Sequence, residues 1–123
     1  MNVEIKRRWV EALRSGRYRQ GRQVLVEPDH ILGDAFCCLG VLCEIAVQDG
    51  VIVRGGQWYR DPKDPMDENC VALPMAVLKW SELPTEGHCA SEVVLGKDIY
   101  LTTLNDDRKY DFNQIADVIE KSL

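Results

Sequence analysis

The sequence predicts an α+β fold in one small domain, residues 1–123, with a buried central helix and two terminal helices packed with a small antiparallel sheet. Three observations support this prediction. Residues 36–47 are the most apolar run of the chain, with one charge in twelve positions. Apolar residues recur at helical spacing near both ends, and two neighbouring glycines separate two short segments typical of strands.

The first helix is predicted over residues 3–15. Asn2 is a favoured N-cap residue, and Gly16 follows the last turn, where glycine commonly ends a helix. Apolar residues at helical spacing then share one face, and we expect that face to be buried. They are Ile5, Trp9, Ala12 and Leu13.

A strand and two turns are expected before the central helix. Residues 17–27 combine valine and leucine with partial alternation, which favours a strand with a turn or bulge at Gly21. Residues 28–30 and 33–34 have turn composition, and Asp34 is placed to cap the helix that follows.

The central helix, residues 36–47, is expected to be buried on nearly all sides because polar positions are almost absent. It is too short to span a bilayer, and Gly50 supplies a stop signal after it. Gly40 in its middle costs roughly 1 kcal/mol relative to alanine, so we expect another backbone to approach closely there. Glu44 is expected to reach water or a polar partner.

The second half of the chain alternates short elements with polar loops. Residues 51–53 and 57–60 flank an Arg-Gly-Gly sequence, a hairpin pattern in which paired glycines supply positive φ angles. An exposed loop is expected over residues 61–69. A short helix with proline in its first turn is expected over residues 74–80.

The C-terminal part ends in a helix with a clear start signal. Residues 92–96 favour a short strand, residues 99–104 fit a strand or a helix, and residues 105–107 have turn composition. Asp111 then caps the last helix, and Gln114 completes a capping box. The apolar face of this helix consists of Phe112, Ile115, Ala116 and Ile119.

Charge is unevenly distributed along the chain. The formal net charge is -5, but residues 1–25 hold seven basic and two acidic groups, while the remainder holds eight basic and eighteen acidic groups. A basic end beside an acidic body is either a solvated face or a surface for an anionic ligand, nucleic acid or acidic partner. The acidic balance, without helix-turn-helix or zinc-finger spacing, argues against sequence-specific binding of duplex DNA.

The cysteines and the N-terminal residues indicate a cytoplasmic protein. Five cysteines without a signal peptide are typical of a reducing compartment with free thiols. The first residues include charges at once and lack the apolar core of a signal peptide. We expect no membrane partner, because no segment has the length and hydropathy of a spanning helix.

Three stretches of the sequence carry a family resemblance. They are WVEALRSGRYRQG at residues 9–21, CCLGVLC at residues 37–43, and LND at residues 104–106 followed by FNQIADVIE at residues 112–120. In this order and spacing they resemble a family of small proteins encoded by bacteriophages and prophages, and the likeness covers most of the chain outside residues 61–98. That family has no assigned activity. The resemblance implies a phage accessory gene expressed in a bacterial host, and such genes often encode proteins that counter host defence or redirect host machinery.

No metal site and no cofactor are predicted. Ligands on one helix chelate together at spacings of three or four residues, whereas Cys43 lies five residues after Cys38 and six after Cys37. A zinc site would therefore need one of the earlier cysteines together with ligands from separate segments. Those ligands are Cys70, Cys89 and His88. We prefer buried thiols that act as small apolar groups.

A small cysteine-dependent hydrolase is the enzymatic alternative. Cys37 or Cys38 would lie near a helix N-terminus, where the helix dipole favours the thiolate. His88 follows later in the chain, an order also seen in papain-like and related cysteine hydrolases. The sequence typical of those enzymes around the nucleophile is missing, and adjacent cysteines in an apolar run are expected to be buried, which raises a thiol pKa.

The strongest candidate for a binding site is the polar cluster at the start of the first predicted strand. Arginine and tyrosine together suit planar anionic ligands, through bidentate hydrogen bonds and stacking. The alternative is an edge strand that its charges protect from aggregation. The candidate ligand-binding residues are Arg17, Tyr18, Arg19, Gln20 and Arg22. We therefore expect a non-enzymatic phage accessory protein that binds a host protein or a small anionic ligand.

Overall fold

The computed structural model describes residues 1–84 and 100–123, and it confirms an α+β fold in a single small domain. Within these residues the helices are α1 (Val3–Arg14), α2 (Cys38–Gln48), α3 (Met75–Ser81), α4 (Leu101–Asp106) and α5 (Phe112–Ser122). The strands are β1 (Arg19–Gln20), β2 (Val26–Glu27), β3 (Ala35–Phe36), β4 (Val53–Arg54) and β5 (Tyr59–Arg60). The strand predicted over residues 92–96 lies outside the described residues.

Helix α1 forms as the sequence predicts. The side-chain oxygen of Asn2 accepts a hydrogen bond from the Ile5 amide at 3.0 Å, which satisfies one of the free amides at the helix start. The predicted apolar face is buried, together with Val10. Trp9 is completely buried, and its indole nitrogen donates to the Cys38 carbonyl at 2.9 Å, which joins α1 to α2.

Helix α2 is the core of the molecule, as predicted. Eight of its eleven residues are buried, and Leu39, Val41 and Leu42 are completely inaccessible to solvent. Glu44 has the polar partner that the sequence leads us to expect, because its carboxylate accepts a hydrogen bond from the Tyr59 hydroxyl at 2.8 Å. Burial and the nearby carboxylate raise the pKa of Tyr59, so this hydroxyl stays protonated and donates.

Gly40 allows the close backbone approach that the sequence predicts. A Cβ atom at this position would lie 1.8 Å from the Leu25 carbonyl oxygen and 2.8 Å from its carbonyl carbon. Both distances are too short for atoms that are not bonded, and the neighbouring atoms are backbone, which cannot rotate away as a side chain would. The backbone of residue 25 therefore lies directly on α2.

The first sheet differs in detail from the prediction. Its strand order is β1-β3-β2, with β1 parallel and β2 antiparallel to β3. The strand expected over residues 17–27 is divided into β1 and β2, because residues 21–25 leave the sheet between them. The central strand β3 pairs with both, and the sequence prediction had placed half of it in the central helix.

The central helix begins later than predicted. Pairing on both sides holds the backbone of β3 extended, so α2 begins at Cys38 and Cys37 is its N-cap. Asp34 does not cap the helix, because its carboxylate pairs with the Arg54 guanidinium, which lowers the pKa of Asp34. The Arg54 guanidinium also lies 5.6 Å from the centre of the Phe36 ring, a cation–π contact.

Strands β4 and β5 form the predicted hairpin. The role of its glycines differs from the prediction, since neither Gly55 nor Gly56 has a positive φ angle. Gly55 is needed for space instead, because a Cβ atom there would lie 2.2 Å from the Trp58 ring. The loop over residues 61–69 that follows is largely exposed, as expected.

Three further helices complete the described part of the chain. Helix α3 begins directly after Pro74, as predicted. The segment that fits a strand or a helix by sequence forms α4, and this helix includes Asn105 and Asp106, where the sequence predicts a turn. Helix α5 has the predicted capping box between Asp111 and Gln114, and its predicted apolar face is buried.

Asn105 joins the three stretches that carry the family resemblance. Its side-chain oxygen accepts hydrogen bonds from the Gln20 side chain at 2.9 Å and from the Cys38 amide at 3.3 Å. Its side-chain nitrogen donates to the Gly21 carbonyl at 3.0 Å and to the Asp106 carboxylate at 2.7 Å. Asn105 is completely buried, so these bonds take the place of water. One side chain thus holds β1, the start of α2 and α4 together.

The first and last helices pack side by side. The Lys6 ammonium donates to the Glu120 carbonyl at 3.0 Å, and Arg14 pairs with the carboxylates of Asp117 and Glu120. The two ends of the chain therefore lie close together. Among the described residues, no helix has the length and apolar character needed to cross a bilayer.

Gly40→Ala is expected to destabilise the protein. The added methyl group meets the Leu25 backbone, so we expect at least the overpacking cost of about 1–3 kcal/mol. Gly56→Ala is the matched control, because a Cβ atom at Gly56 has nothing within 4 Å. Urea denaturation measures both variants, and equal midpoints would contradict the close approach at Gly40.

Asn105→Ala is expected to lower the free energy of unfolding by at least about 2 kcal/mol, because each buried partner left without a hydrogen bond costs roughly 1–3 kcal/mol. Asn113→Ala provides the comparison, since Asn113 is an exposed asparagine on α5. Thermal and urea unfolding report the difference. If the two variants unfold alike, the hydrogen bonds of Asn105 do not hold the three stretches together.

Candidate functional site

The structure divides the five predicted binding residues among three locations. Arg19 and Gln20 form β1 and are bonded to neighbouring segments. Arg17 and Tyr18 line a small cleft beside α1 and α2. Arg22 lies in a separate and larger cleft. The predicted cluster is therefore not one continuous surface.

Arg19 and Gln20 hold neighbouring segments in place. The Arg19 guanidinium donates to the Gly33 carbonyl at 2.9 Å and lies 3.8 Å from the Asp29 carboxylate. The Gln20 side chain donates to the Tyr110 carbonyl at 2.7 Å, in addition to its bond with the buried asparagine of α4. Both side chains are thus engaged within the fold, and they support the segments around the clefts.

Arg17 and Tyr18 border a cleft of about 130 Å³, which is small for an organic ligand. The Tyr18 ring packs edge-on against Phe36, with ring centres 5.5 Å apart. Two bonds of 2.8 and 2.9 Å hold the neighbouring Arg8 guanidinium on Asp49, and this contact lowers the pKa of the Asp49 carboxyl. The remaining polar groups of the cleft are Glu11 and Gln48.

The cleft beside Arg22 has a volume of about 420 Å³, which is within the usual range of small-molecule sites. We call it the Arg22 cleft. Its polar side chains are Arg22, Gln23, Glu27, Gln57 and Cys70, and its apolar side chains are Val24, Val26 and Pro28. This lining is more polar than that of most small-molecule sites, so recognition here would depend mainly on hydrogen bonds and charge.

Backbone hydrogen bonds bring three separate segments to the Arg22 cleft. The Leu25 amide donates to the Cys70 carbonyl at 2.8 Å, which joins the segment around β2 to the chain before α3. Asn69 exchanges backbone bonds of 2.9 and 3.0 Å with Tyr59, so the β4–β5 turn with Gln57 is fixed at the same place. The cleft therefore depends on contacts between distant parts of the sequence.

Gln23 has a backbone conformation that is uncommon for its residue type. Its φ angle is 72°, in the left-handed region that residues with a Cβ atom rarely occupy. The Gln23 amide donates to the Asp106 carboxylate at 2.9 Å, which holds this conformation in place. Backbone strain of this kind clusters at ligand sites, where it fixes the position of a side chain.

The Arg22 guanidinium has no carboxylate partner within residues 1–84 and 100–123. Other arginines of this part of the chain are paired, and examples are Arg7, Arg8, Arg14, Arg19 and Arg54. An arginine without a partner at the wall of a cleft keeps its N–H donors available for a ligand. Arg22 is thus the strongest anion-binding group of this cleft.

The candidate nucleophiles of the hydrolase alternative are buried. Burial raises the pKa of the Cys37 thiol to about 11, and it also raises the pKa of Cys38, so both remain protonated at neutral pH. The Cys38 thiol lies 3.9 Å from the Leu101 carbonyl, to which it donates a weak hydrogen bond. Their proposed partner His88 lies outside the described residues.

The described part of the chain contains no group of three or more His, Cys, Asp or Glu side chains arranged to hold a metal ion. Of the ligands that a zinc site would combine, Cys70 is exposed, whereas Cys37 and Cys38 are buried. The remaining alternatives, Cys89 and His88, lie outside the described residues.

The fold and the cleft define a small α+β domain with a polar cleft of ligand size. The chain belongs to the family described as Domain of unknown function (DUF8296), whose model matches residues 1–123. No curated protein and no solved structure matches the chain. The function is therefore argued from the cleft and its chemistry.

Sequence reasoning selected Arg22 but missed the groups around it. Gln57 and Cys70 stand in unrelated local patterns, a hairpin turn and the end of a polar loop. Their position beside Arg22 results from backbone bonds between distant segments, and these leave no local signal. The Gly-Gly pair predicts a hairpin turn before residues 57–60, but that prediction assigns Gln57 to a strand and gives it no role in binding.

Cys70 is expected to be the fast-reacting thiol among the described cysteines. In a Cys89→Ser background, iodoacetamide at neutral pH should modify exposed Cys70 rapidly, while the buried cysteines of α2 and its N-cap react after unfolding. Mass spectrometry identifies the modified residue, and Cys70→Ser in the same background is the control. Rapid labelling of Cys37 or Cys38 in folded protein would instead favour the hydrolase alternative.

Proposed function

We propose that this protein is a non-enzymatic binding protein that holds a small anionic molecule in the Arg22 cleft. The observation that carries the proposal is the Arg22 side chain, which has no ion pair within residues 1–84 and 100–123, at a cleft of about 420 Å³. Charge-assisted hydrogen bonds from arginine to an anion are stronger than bonds between neutral groups. The uncommon backbone conformation of Gln23 fits a site prepared for a ligand.

The charge distribution supports an anionic ligand at this place. Residues 1–25 carry a net charge of +5, while the rest of the chain carries -10. Several cations of the basic end are paired with carboxylates, whereas Arg22 is not paired within the described residues. An approaching anion is repelled by the acidic body and attracted to the remaining cations, which increases its rate of encounter with the cleft.

A binding role fits the cysteines better than hydrolysis does. A cysteine nucleophile must reach its substrate as a thiolate. Cys37 and Cys38 are buried in the core, and burial raises the pKa of both thiols. The described residues that line the Arg22 cleft include one exposed thiol, Cys70, but no histidine that could act as its base. The other polar groups of the cleft are hydrogen-bonding groups, which suit recognition without a covalent step.

The resemblance to phage and prophage proteins supports an accessory role in infection. We place the protein in the cytoplasm of a bacterial host, where withdrawal of a small anionic molecule would counter a host defence. The stretches that carry the resemblance meet at Asn105, close to the Gln23 backbone that Asp106 holds. The residues that carry the resemblance thus help to hold the backbone of the cleft in place.

A specific observation favours binding of a host protein as a second function. Ile31 and Leu32 are 92% and 69% exposed. The Asp29 carboxylate accepts hydrogen bonds from both of their amides, at 2.8 and 2.9 Å, and the Gly33 amide donates to the Asp29 carbonyl. A rigid turn that presents two large aliphatic side chains fits an apolar pocket on a partner protein, because little conformational freedom is lost on binding.

Arg22→Ala is expected to weaken the binding of an anion about ten- to hundredfold, because a lost charge-assisted hydrogen bond costs roughly 1.5–3 kcal/mol. The probe is inorganic phosphate at low ionic strength, and isothermal titration calorimetry measures its affinity. The free energy of unfolding should stay close to that of the parent, since Arg22 has no carboxylate partner within the described chain.

Arg17→Ala is the matched control. Like Arg22→Ala, it removes one positive charge from the basic end, but Arg17 lines the smaller cleft. If Arg17→Ala weakens binding and Arg22→Ala does not, the smaller cleft is the anion site and the proposal is wrong. Unchanged affinity in both variants would move the anion site away from both of these clefts.

A further inference from the structure

The Arg22 cleft contains more hydrogen-bonding groups than an inorganic anion needs. The side chains of Gln23 and Gln57 are exposed, and neither side-chain amide forms a hydrogen bond within residues 1–84 and 100–123. Each amide offers an acceptor oxygen and a donor nitrogen side by side. The edges of nucleobases present donors and acceptors in the same side-by-side manner, and glutamine is a common partner for them.

Glu27 adds a charged acceptor to these amides. Its carboxylate is exposed at the cleft and has no ion pair in the part of the chain that the structure describes. A carboxylate accepts hydrogen bonds from exocyclic amino groups of bases. The same negative charge repels a ligand with several phosphate groups, so it favours a ligand with a single phosphate beside Arg22.

An apolar wall completes the cleft. Val24 and Pro28 supply its apolar surface, whereas Val26, in β2, is 1% exposed and lies beneath them in the core. Small-molecule sites usually combine such apolar surface with a few polar groups that fix orientation. A flat ring suits this wall, because it covers the apolar surface while its edge remains free for the amides.

We infer that the Arg22 cleft binds a free nucleoside monophosphate, with Arg22 on the phosphate and with Gln23, Gln57 and Glu27 on the base. This inference rests on the proposed function, since both use Arg22 to hold the anionic group. The volume of about 420 Å³ suits a ligand of this size. A nucleic-acid strand fits less well, because residues 26–123 carry a net charge of -10 and repel a long polyanion.

Isothermal titration calorimetry with a panel of related probes tests the inference. The panel contains AMP, CMP, GMP and UMP, their nucleosides, ribose 5-phosphate, and a 5′-phosphorylated oligonucleotide. At least one nucleotide should bind about tenfold tighter than ribose 5-phosphate, because the base adds hydrogen bonds to the amides. The same nucleotide should bind tighter than its own nucleoside, which lacks the phosphate, and tighter than the oligonucleotide.

Two variants separate the roles of base and phosphate. Gln57→Ala should weaken nucleotide binding about tenfold and leave the affinity for ribose 5-phosphate unchanged. Arg22→Ala should weaken the binding of both. Gln48→Ala is the matched control, because Gln48 is an exposed glutamine that lines the smaller cleft, and its loss should change neither affinity.

The outcomes distinguish failure of the nucleotide assignment from failure of the proposed function. If ribose 5-phosphate binds as tightly as every nucleotide and both depend on Arg22, the anion site stands and the assignment of a base is overturned. If no phosphate compound depends on Arg22, both fail. Tighter binding of the oligonucleotide than of every mononucleotide overturns the assignment to a free nucleotide.

Discussion

The contact between the Leu25 backbone and α2 at Gly40 determines where the cleft can form. Because glycine has no side chain, the carbonyl of residue 25 lies against the most buried helix of the molecule. The amide of the same residue donates to the Cys70 carbonyl, so the chain before α3 is tied to the core through Leu25. The residues on either side of Leu25 line the cleft. The missing side chain at Gly40 thus lets a buried apolar helix position the backbone of a polar surface cleft.

Some arginines of the basic end pair with carboxylates of the fold, whereas Arg22 has no ion pair among the described residues. Arg19 is held by the turn that contains Asp29 and Gly33, and Arg8 is held by Asp49 at the end of α2. Such exposed pairs contribute little to stability individually, typically about 0–1 kcal/mol, but they fix the geometry of the segments they join. Arg22 lies near the segments that these pairs hold in place, and it has no ion pair in the described chain. Its guanidinium is therefore available to a ligand.

The parts of the fold that could be predicted are those that local chemistry determines. Asn2 and Asp111 each accept a hydrogen bond from an amide three residues later, so residues close in sequence determine where α1 and α5 begin. The pairing of the three-stranded sheet could not be predicted, because Phe36 is held extended by partners on two other segments, at Gln20 and Val26. The sequence selects Arg22 as a candidate binding residue because it stands in a basic segment, but it does not predict the cleft. Gln57 reaches the cleft through backbone pairing of Tyr59 with Asn69, the residue before Cys70.

The packing of α1 against α5 also bears on how the protein is made. Helix α1 is synthesised before α5, the helix that it packs against, and Lys6 and Arg14 bond to Glu120 on α5. Until α5 has been synthesised, the apolar face of α1 lacks this partner and is open to chaperones or to nonspecific association. A nascent chain that stalls before α5 therefore lacks the helix that covers α1.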